Sequence, residues 1–382
     1  MLKNATRRCA FIAVALLLLS PSFVAAQARA GDVVVQDSSA PPQLLFACDR
    51  PTSELKSLFT PGLIADLHQL NAGVALSTED FSSERAQLVQ ALNRAGVPAI
   101  AWLVLPHDEG YYVNAGNVAQ TRARFEEFDR WTAANGLHWQ AVGLDIEPTF
   151  SDFTKIGGSK LRLLSLVLRR AFEGSRIREP RASYAALIEH MQAEGYYVQT
   201  YQLMFLADER RAHSTLLEKV FGIVDVRGNQ EVLMLYTSFN HAAGAGIIWE
   251  YGPDAQSIAV GSTAAGGDKA ADAKFPPLNW EEFSRDLIVA RHFSPKMVGV
   301  YSLEGCVRQG FIAKMKTLDW SQKITIPAES LHKAMQVRQG VFAVLWFGSH
   351  IIYFAVAFLV ALVWLTRFFV KRRRRKRAQR RI

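Results

Sequence analysis

Short apolar runs alternate with amphipathic stretches along most of the chain. Eight of the apolar runs have the length of buried β-strands and cover 43–49, 72–78, 98–106, 141–147, 196–204, 232–238, 256–262 and 297–303. Apolar residues recur three and four positions apart between them, which predicts helices over 82–95, 118–135, 183–194, 207–221 and 279–292. Buried strands that alternate with helices are typical of a parallel sheet covered on both faces. The pattern predicts a (β/α)8 TIM barrel over 43–320, with a doubly wound open sheet as the alternative.

The two ends of the chain depart from this alternation. Residues 1–28 combine basic residues, a short apolar run and small residues, which is the pattern of a cleaved signal peptide, and 29–42 form a polar lead-in. The segment 321–340 precedes residues 341–366, which include no Asp, Glu, Lys or Arg. At about 1.5 Å per residue, a helix over 341–366 is long enough to cross a membrane core of about 30 Å. Residues 367–382 form a basic tail.

The basic tail suggests an orientation, because Lys and Arg beside a span mark its cytoplasmic side and are attracted to anionic lipid. We expect a single-pass membrane protein with its body outside the cytoplasm and its C-terminus inside. The body would be periplasmic if the protein is bacterial. Membrane lipid is one predicted partner.

The charge distribution argues against a nucleic-acid partner. The formal net charge is +9, but the first 28 residues and the tail together hold 13 of the 44 Lys and Arg and no acid. The remaining 31 basic residues face 35 acidic ones, so the body carries about −4. The sequence predicts no cofactor and no bound metal, and it leaves the oligomeric state open.

Two cysteines remain once Cys9 leaves with the signal peptide. Cys48 ends the first predicted strand, and Cys306 follows the eighth. These strands are neighbours in a closed barrel, and exported proteins form disulfides. We therefore expect a Cys48–Cys306 disulfide.

Polar residues collect where the predicted strands end, which is where barrels of this kind carry their active sites. Those ends supply Asp49, Thr78, Glu79, His107, Asp108, Glu109, Asp145, Glu147, Gln202, Tyr236, Ser238, Ser262 and Glu304. Asp145 and Glu147 stand two apart on one strand, so both point to the same side, here the barrel interior. A buried carboxyl beside another holds a raised pKa and can act as a general acid toward a glycosidic oxygen. Tyr111 and Tyr112, after the third strand, could stack on sugar rings.

Three short strings resemble the chitinase-like glycoside hydrolases of family eighteen. VGLDIEP is similar to their fourth-strand signature, VLMLYTS to their sixth strand, and VGVYSLEG to their eighth. The resemblance implies that Glu147 is the general acid and that Asp145 supports it. Tyr236, Tyr301 and Glu304 would face the substrate, with Asp49 at the same rim.

The match to that family can be aligned in two ways. With Glu147 as the acid, Gly143 stands where the family has another Asp. If the letters Gly-Leu-Asp-Ile are matched instead, Glu147 takes the place of that Asp and Thr149 takes the acid position. The barrel would then be a binding module or use other chemistry. A third possibility pairs Glu147 with Glu250 in IIWEYG, which resembles the nucleophile strand of retaining β-glycosidases. Because too few residues separate Glu250 from the sixth strand, we expect it in the following connection.

The preferred hypothesis is a membrane-anchored hydrolase of an envelope or extracellular glycan, with Glu147 as general acid. The alternative is a non-catalytic glycan-binding or scaffold ectodomain. A phosphodiester-cleaving barrel is a third option, but it needs a pair of histidines and only His107 is clearly at the rim.

Overall fold

The computed structural model describes residues 31–37, 40–148, 169–170, 173, 175–263 and 275–379. Eight parallel strands close into a barrel in chain order, which confirms the predicted TIM barrel. The strands are β2 (Gln43–Cys48), β3 (Ala72–Ser77), β4 (Ala99–Leu103), β5 (Ala141–Ile146), β6 (Val198–Leu203), β7 (Gln230–Met234), β8 (Ser257–Gly261) and β9 (Met297–Tyr301). The predicted signal peptide, Thr149 and the segment 264–274 lie outside the described residues.

The seam between the first and last barrel strands closes the sheet. Leu45 of β2 pairs with Gly73 of β3 on one side and with Gly299 of β9 on the other. The open-sheet alternative is therefore wrong. Strands β3, β4, β5 and β8 are buried along their whole length, as expected for strands with a filled barrel on one face and helices on the other.

An outer layer of helices covers the barrel. It comprises α1 (Thr52–Leu58), α2 (Pro61–Gln69), α3 (Ser83–Arg94), α4 (Val118–Asn135), α5 (Ser175–Ala193), α6 (Phe205–Arg211), α7 (Leu216–Phe221), α8 (Ala245–Tyr251), α9 (Trp280–Phe293), α10 (Leu303–Arg308) and α11 (Phe311–Met315). Local chemistry fixes the start of α9, where Asn279 and Glu282 form a capping box.

The helix predicted over 207–221 is instead the pair α6 and α7. His213 lies between them with a left-handed backbone (φ 49°), which ends the first helix. The buried carboxylate of Glu209 accepts the backbone N–H groups of Leu217 and Glu218 at 2.6 and 3.1 Å, and so caps the second helix. Periodicity alone continues across this break and cannot reveal it.

A long helix, α12 (Ala328–Ser349), packs along the outside of the barrel. It follows β10 (Ile324–Ile326), which pairs antiparallel with β1 (Val33–Val35). Near its start, Ser330 accepts the N–H of Gly246 at 3.2 Å. Arg338, two turns later, reaches the end of α8, where it pairs with Asp254 and donates to the Glu250 carbonyl. Helix α12 therefore runs alongside α8 in the same direction.

Arg338 also fixes α12 to the barrel through a buried acid. Its Nε lies 3.2 Å from Asp208, which also accepts the Tyr251 hydroxyl at 2.6 Å. Burial raises the pKa of Asp208 to about 6, against the opposing effects of Tyr251 and Arg338. The charge pair stands inside an otherwise apolar contact.

The predicted membrane segment 341–366 is divided between two helices at His350. Its first part ends α12, where Val341 and Leu345 are buried against the barrel, and its remainder begins α13 (Ile351–Gln379). Among the described residues, no helix combines the length and the apolar character that a membrane crossing requires.

Candidate active site

A cavity opens into the barrel at the carboxyl ends of its strands. Small residues and aromatic rings make up most of its wall. Its lining comprises Leu45, Ala47, Ala75, Trp102, Tyr112, Asp145, Glu147, Tyr201, Met234, Tyr236, Phe239, Ala259, Gly299, Val300 and Tyr301. Five of the residues proposed from the sequence thus meet in one place: Tyr112, Asp145, Glu147, Tyr236 and Tyr301.

Asp145 and Glu147 provide the only carboxylates among the described residues of that lining. Asp145 is the penultimate residue of β5, and Glu147 follows the strand directly. The two residues are 5% and 4% exposed, so both carboxylates are held in a largely dehydrated cavity. Such a pair can retain a proton at a pH where exposed carboxylates are ionised.

The Asp145 carboxyl shows this effect. Burial raises its pKa well above the usual value, and the negative charges of Glu147 and Asp49 raise it further. Among the described residues, its Oδ1 has no hydrogen-bond partner to stabilise the ionised form. The ionised carboxylate is therefore disfavoured, and the site keeps an acidic proton available.

The loop after β4 holds the backbone that carries both acids. Val113 donates its N–H to the Asp145 carbonyl at 2.9 Å and accepts the Glu147 N–H at 3.1 Å, forming an isolated parallel bridge opposite Ile146. The loop thereby extends the sheet by one residue beside β5. It holds the acid-bearing segment on the side away from β6.

Gly143 leaves room for the ring of Tyr201. A Cβ at position 143 would lie 2.5 Å from Tyr201 Cε2, closer than any real contact. The phenol donates to Gln199 Oε1 at 2.9 Å, and burial raises the pKa of Tyr201. Where the resembling family has a third acid, this chain has an aromatic ring over a glycine.

Aromatic rings line the mouth of the cavity. Tyr236 and Tyr301 stack on each other with ring centroids 5.7 Å apart and an interplanar angle of 24°. Tyr236 also meets Phe239 edge to face at 6.1 Å. Faces of this kind suit the apolar faces of sugar rings.

Tyr111 occupies a different position from Tyr112. It is 1% exposed, its hydroxyl is bonded to Asp49 and lies 3.4 Å from Glu79, and His107 stacks on its ring at 4.4 Å. Its backbone is left-handed (φ 61°), a costly conformation for a bulky residue that the surrounding contacts must hold. Tyr111 therefore braces the loop against β2, and it has no open face for a sugar.

Asp49 does not line the cavity, but its charge acts on the groups that do. Burial raises the pKa of Asp49, while Tyr111 and other neighbours favour its ionised form. Among the described residues, no group of three or more His, Cys, Asp or Glu side chains is arranged to hold a metal ion.

Glu304 lies outside the cavity lining, contrary to the position expected from the resemblance. It lines a separate pocket with Arg50 and Arg308, and its carboxylate is 3.6 Å from the Arg50 Nε. Burial raises the pKa of Glu304 to about 7, although Arg50 opposes the shift. Glu304 starts α10, so the chain has already left the inner face of the barrel when it reaches this residue.

Cys48 and Cys306 are both buried free thiols, so the expected disulfide is wrong. The Cys306 sulfur faces the Thr263 hydroxyl at 3.6 Å. Neighbouring strands bring the two segments to one rim, but Cys306 belongs to α10 and lies beyond the end of β9. Strand adjacency in the sheet is not sufficient for the geometry that a disulfide needs.

Glu250 belongs to α8, in the connection after the sixth barrel strand. The expectation for this segment is confirmed, and the two-glutamate site has no geometric basis. Trp102 and Tyr201 are cavity residues that the sequence argument missed. Both occupy predicted strands, where an aromatic residue looks like ordinary core, and only the register shows that they face inward.

No protein-family model matches the chain, and no curated protein matches it. The glycoside hydrolase domain of PgaB (BpsB) from Bordetella bronchiseptica is a similar solved structure, at 10% identity and a TM-score of 0.44, over 73% of this chain and 99% of that one. D-allulose 3-epimerase from Methylomonas sp. is similar at 10% identity and 0.37, over 78% and 98%. An endo-β1,6-glucanase is similar at 11% identity and 0.36, over 72% and 70%. The closed strand order defines the class of the chain as a (β/α)8 barrel.

Proposed function

We propose that this protein is a glycoside hydrolase-like barrel that acts on an envelope or extracellular glycan, with Glu147 as general acid. The observation that supports the proposal is the placement of Asp145 and Glu147 together in an aromatic cavity at the carboxyl ends of the strands. Proton donation to a glycosidic oxygen needs a carboxyl that stays protonated near neutral pH. The raised pKa of Asp145 supports a cavity that retains such a proton.

In this proposal the two acids have different roles. Glu147 lies at the end of the segment, nearest the mouth, and delivers the proton to the leaving oxygen. Asp145 lies deeper, and the two carboxyl groups share one proton. While Glu147 carries that proton, Asp145 is ionised and stabilises positive charge that develops on the sugar ring. Tyr236 and Tyr301 hold the ring of the substrate at the mouth.

The test is a comparison of Glu147→Gln and Asp145→Asn with wild type on a panel of β-linked glycans, measured as released reducing ends. We expect each variant to lose at least a hundredfold in turnover, since a positioned general acid contributes about 10²–10⁴-fold. Glu250→Gln, which alters a glutamate outside the cavity, is the matched control. Wild-type turnover in Glu147→Gln would refute the assigned role.

A non-catalytic glycan-binding role is the second candidate. The observation that favours it is the Gly143–Tyr201 contact, which replaces an acid of the resembling family with a phenol ring. Binding of a glycan by the wild-type chain without release of reducing ends would establish this role in place of hydrolysis.

We also propose that the C-terminal segment attaches the barrel to a membrane, with the barrel outside the cytoplasm. Along α13, apolar side chains stand in the open: Tyr353, Phe358 and Trp364 are 73%, 68% and 65% exposed. A run of basic residues from Lys371 onward follows them in the sequence, which suits an anionic lipid surface. Truncation after His350 should release the protein from membranes in cell fractionation; membrane retention of the truncated chain would exclude this role.

A further inference from the structure

Trp102 places a buried hydrogen-bond donor in the wall of the cavity. The residue is 5% exposed, and its Nε1 has no hydrogen-bond partner among the described residues. A buried indole N–H normally finds a partner, and leaving such a donor unsatisfied costs about 1–3 kcal/mol. The N–H has no access to water within the wall, so a molecule in the cavity can satisfy it only if the wall shifts on binding.

Asp145 supplies a matching acceptor on the same wall. Trp102 pairs in register with Gly143 of β5, and Asp145 stands two residues further along the same face. Two residues along a strand correspond to about 7 Å, roughly the span of a sugar ring. Asp145 Oδ1 is also buried without a partner in the described part of the chain. The cavity thus holds one unsatisfied donor and one unsatisfied acceptor on adjacent strands.

An aromatic ring and small side chains stand beside these groups. The ring of Tyr201 lies over Gly143, the residue that pairs with Trp102 and stands two positions before Asp145. Ala75 and Ala259 supply small side chains to the wall. Each sugar hydroxyl can both donate and accept a hydrogen bond, so two hydroxyls on one ring edge can satisfy both groups.

We propose that Trp102 is a substrate-contacting residue, whose indole N–H donates to one hydroxyl oxygen of a sugar ring while Asp145 accepts from another. The ring enters edge-first, with its hydroxyl-bearing edge toward Trp102 and Asp145 and its faces between the aromatic walls. Trp102 then selects for a hydroxyl at one ring position. This inference rests on the proposed glycan substrate and names the group that recognises it.

Trp131 offers a matched comparison within the same chain. Its Nε1 is also buried without a partner among the described residues, but it lies in α4, packed against Phe81 and Phe128 on the outer face of the barrel. It does not line the cavity. A ligand in the cavity should therefore affect the Trp102 indole and leave the Trp131 indole unchanged.

The first measurement uses the full-length chain with ¹⁵N-labelled indoles, titrated with β-1,4-linked tetrasaccharides of glucose and of N-acetylglucosamine. The indole resonance that is absent from Trp102→Phe should move on titration, and the resonance absent from Trp131→Phe should stay. Reducing ends are assayed in the same samples. A Trp102 resonance that stays in place while sugar is cleaved would overturn the inference and leave the proposed function intact.

The second measurement is a double-mutant cycle of binding affinity, with one change made in the protein and the other in the ligand. The ligand is the tetrasaccharide that moves the Trp102 resonance. Trp102→Phe should weaken its binding about tenfold, which corresponds to the loss of one hydrogen bond. A deoxy analogue that lacks the contacted hydroxyl should bind wild type about tenfold less well and should lose nothing further in the variant. If removing the hydroxyl costs the same affinity in Trp102→Phe as in wild type, Trp102 does not contact that hydroxyl.

The outcomes separate the two proposals. A moved Trp102 resonance without released reducing ends supports the sugar contact and argues against hydrolysis. Absence of both a shift and turnover with either tetrasaccharide counts against both. Trp131→Phe should match wild type in binding, and a comparable loss there would show that the effect of Trp102→Phe is general destabilisation.

Discussion

Val113 and Ile146 face each other as a single parallel bridge, and the two hydrogen bonds of that bridge end on the two residues that carry the acids. The Val113 N–H holds the Asp145 carbonyl, and the Val113 carbonyl holds the Glu147 N–H. A loop residue with an apolar side chain thus orients both candidate catalytic groups through its backbone. This relationship leads to the first prediction.

Val113→Pro removes the N–H that donates to Asp145. We expect at least tenfold loss of turnover on a cleaved glycan, because a small displacement of the acids misaligns the proton donor. The control is Ala115→Pro, which removes a donor to the Gly222 carbonyl outside the acid segment. The two variants are compared at matched urea midpoints, and equal losses of turnover would show that the Val113 bridge has no special role.

Asp145→Asn should stabilise the protein at neutral pH and have little effect in acid. The folded-state pKa of Asp145 lies above its usual 3.8, so the wild type loses stability as the pH rises through and above that value. Asparagine does not titrate and avoids this loss, since each tenfold difference in proton affinity between the folded and unfolded chain is worth about 1.4 kcal/mol. Urea unfolding at about pH 3 and pH 7.5 measures the difference. Glu126→Gln, on the exposed face of α4, should leave both midpoints near wild type, and a gain for Asp145→Asn of equal size at both pH values would contradict this explanation.

Gly143→Ala should destabilise the barrel by roughly 1–3 kcal/mol, because the new methyl group overlaps the Tyr201 ring. When Tyr201 is already replaced by Leu, adding Gly143→Ala should cost less free energy of unfolding than it does in wild type, because the ring that the methyl group overlaps is gone. Gly62→Ala is the control, since the nearest atom to its added methyl lies 3.8 Å away. Additive free energies of unfolding for the two substitutions would show that the contact with Tyr201 is not the cause.

Arg338→Met leaves the Asp208 carboxylate buried without its cation. We expect a loss of roughly 3 kcal/mol in the free energy of unfolding and faster proteolysis within α12. Lys333→Met tests the same helix at an exposed pair with Glu329, and it should cost less than about 1 kcal/mol. A proteolysis rate of Arg338→Met equal to that of Lys333→Met would show that the Asp208 pair does not hold the helix.

Cys48 and Cys306 should both resist a thiol reagent in the native protein and react once the chain is unfolded in guanidinium without reductant. Each thiol is buried, and burial raises the pKa of Cys306 to about 12, so little thiolate is present. The measurement is reagent uptake before and after unfolding. Lack of reaction after unfolding would indicate that the pair is oxidised.

The sequence was sufficient to predict the barrel because its strands are largely buried on both faces and therefore appear as apolar runs. It also placed Asp145 and Glu147 on the inner face, since a period of two fixes which side a strand residue takes. The strand register and the close packing of side chains could not be predicted from the sequence. The pairing of Trp102 with Gly143, and the Tyr201 ring over that glycine, depend on which strands lie side by side and at what offset. Glu304 and Cys306 were misplaced for a related reason: the chain turns into α10 immediately after β9, and the strand pattern does not continue across that turn.

The direction of α12 determines where the chain leaves the barrel. Helix α8 leads from the carboxyl end of β7 to the amino end of β8, and α12 follows it from Ser330 to Arg338 in the same sense. The C-terminal segment consequently departs from the end of the barrel opposite the cavity. If α13 engages a membrane as proposed, that contact begins behind the barrel, on the side away from the acids. On that proposal, a long polymer reaches Asp145 and Glu147 from the far side without passing the point at which the chain leaves the barrel.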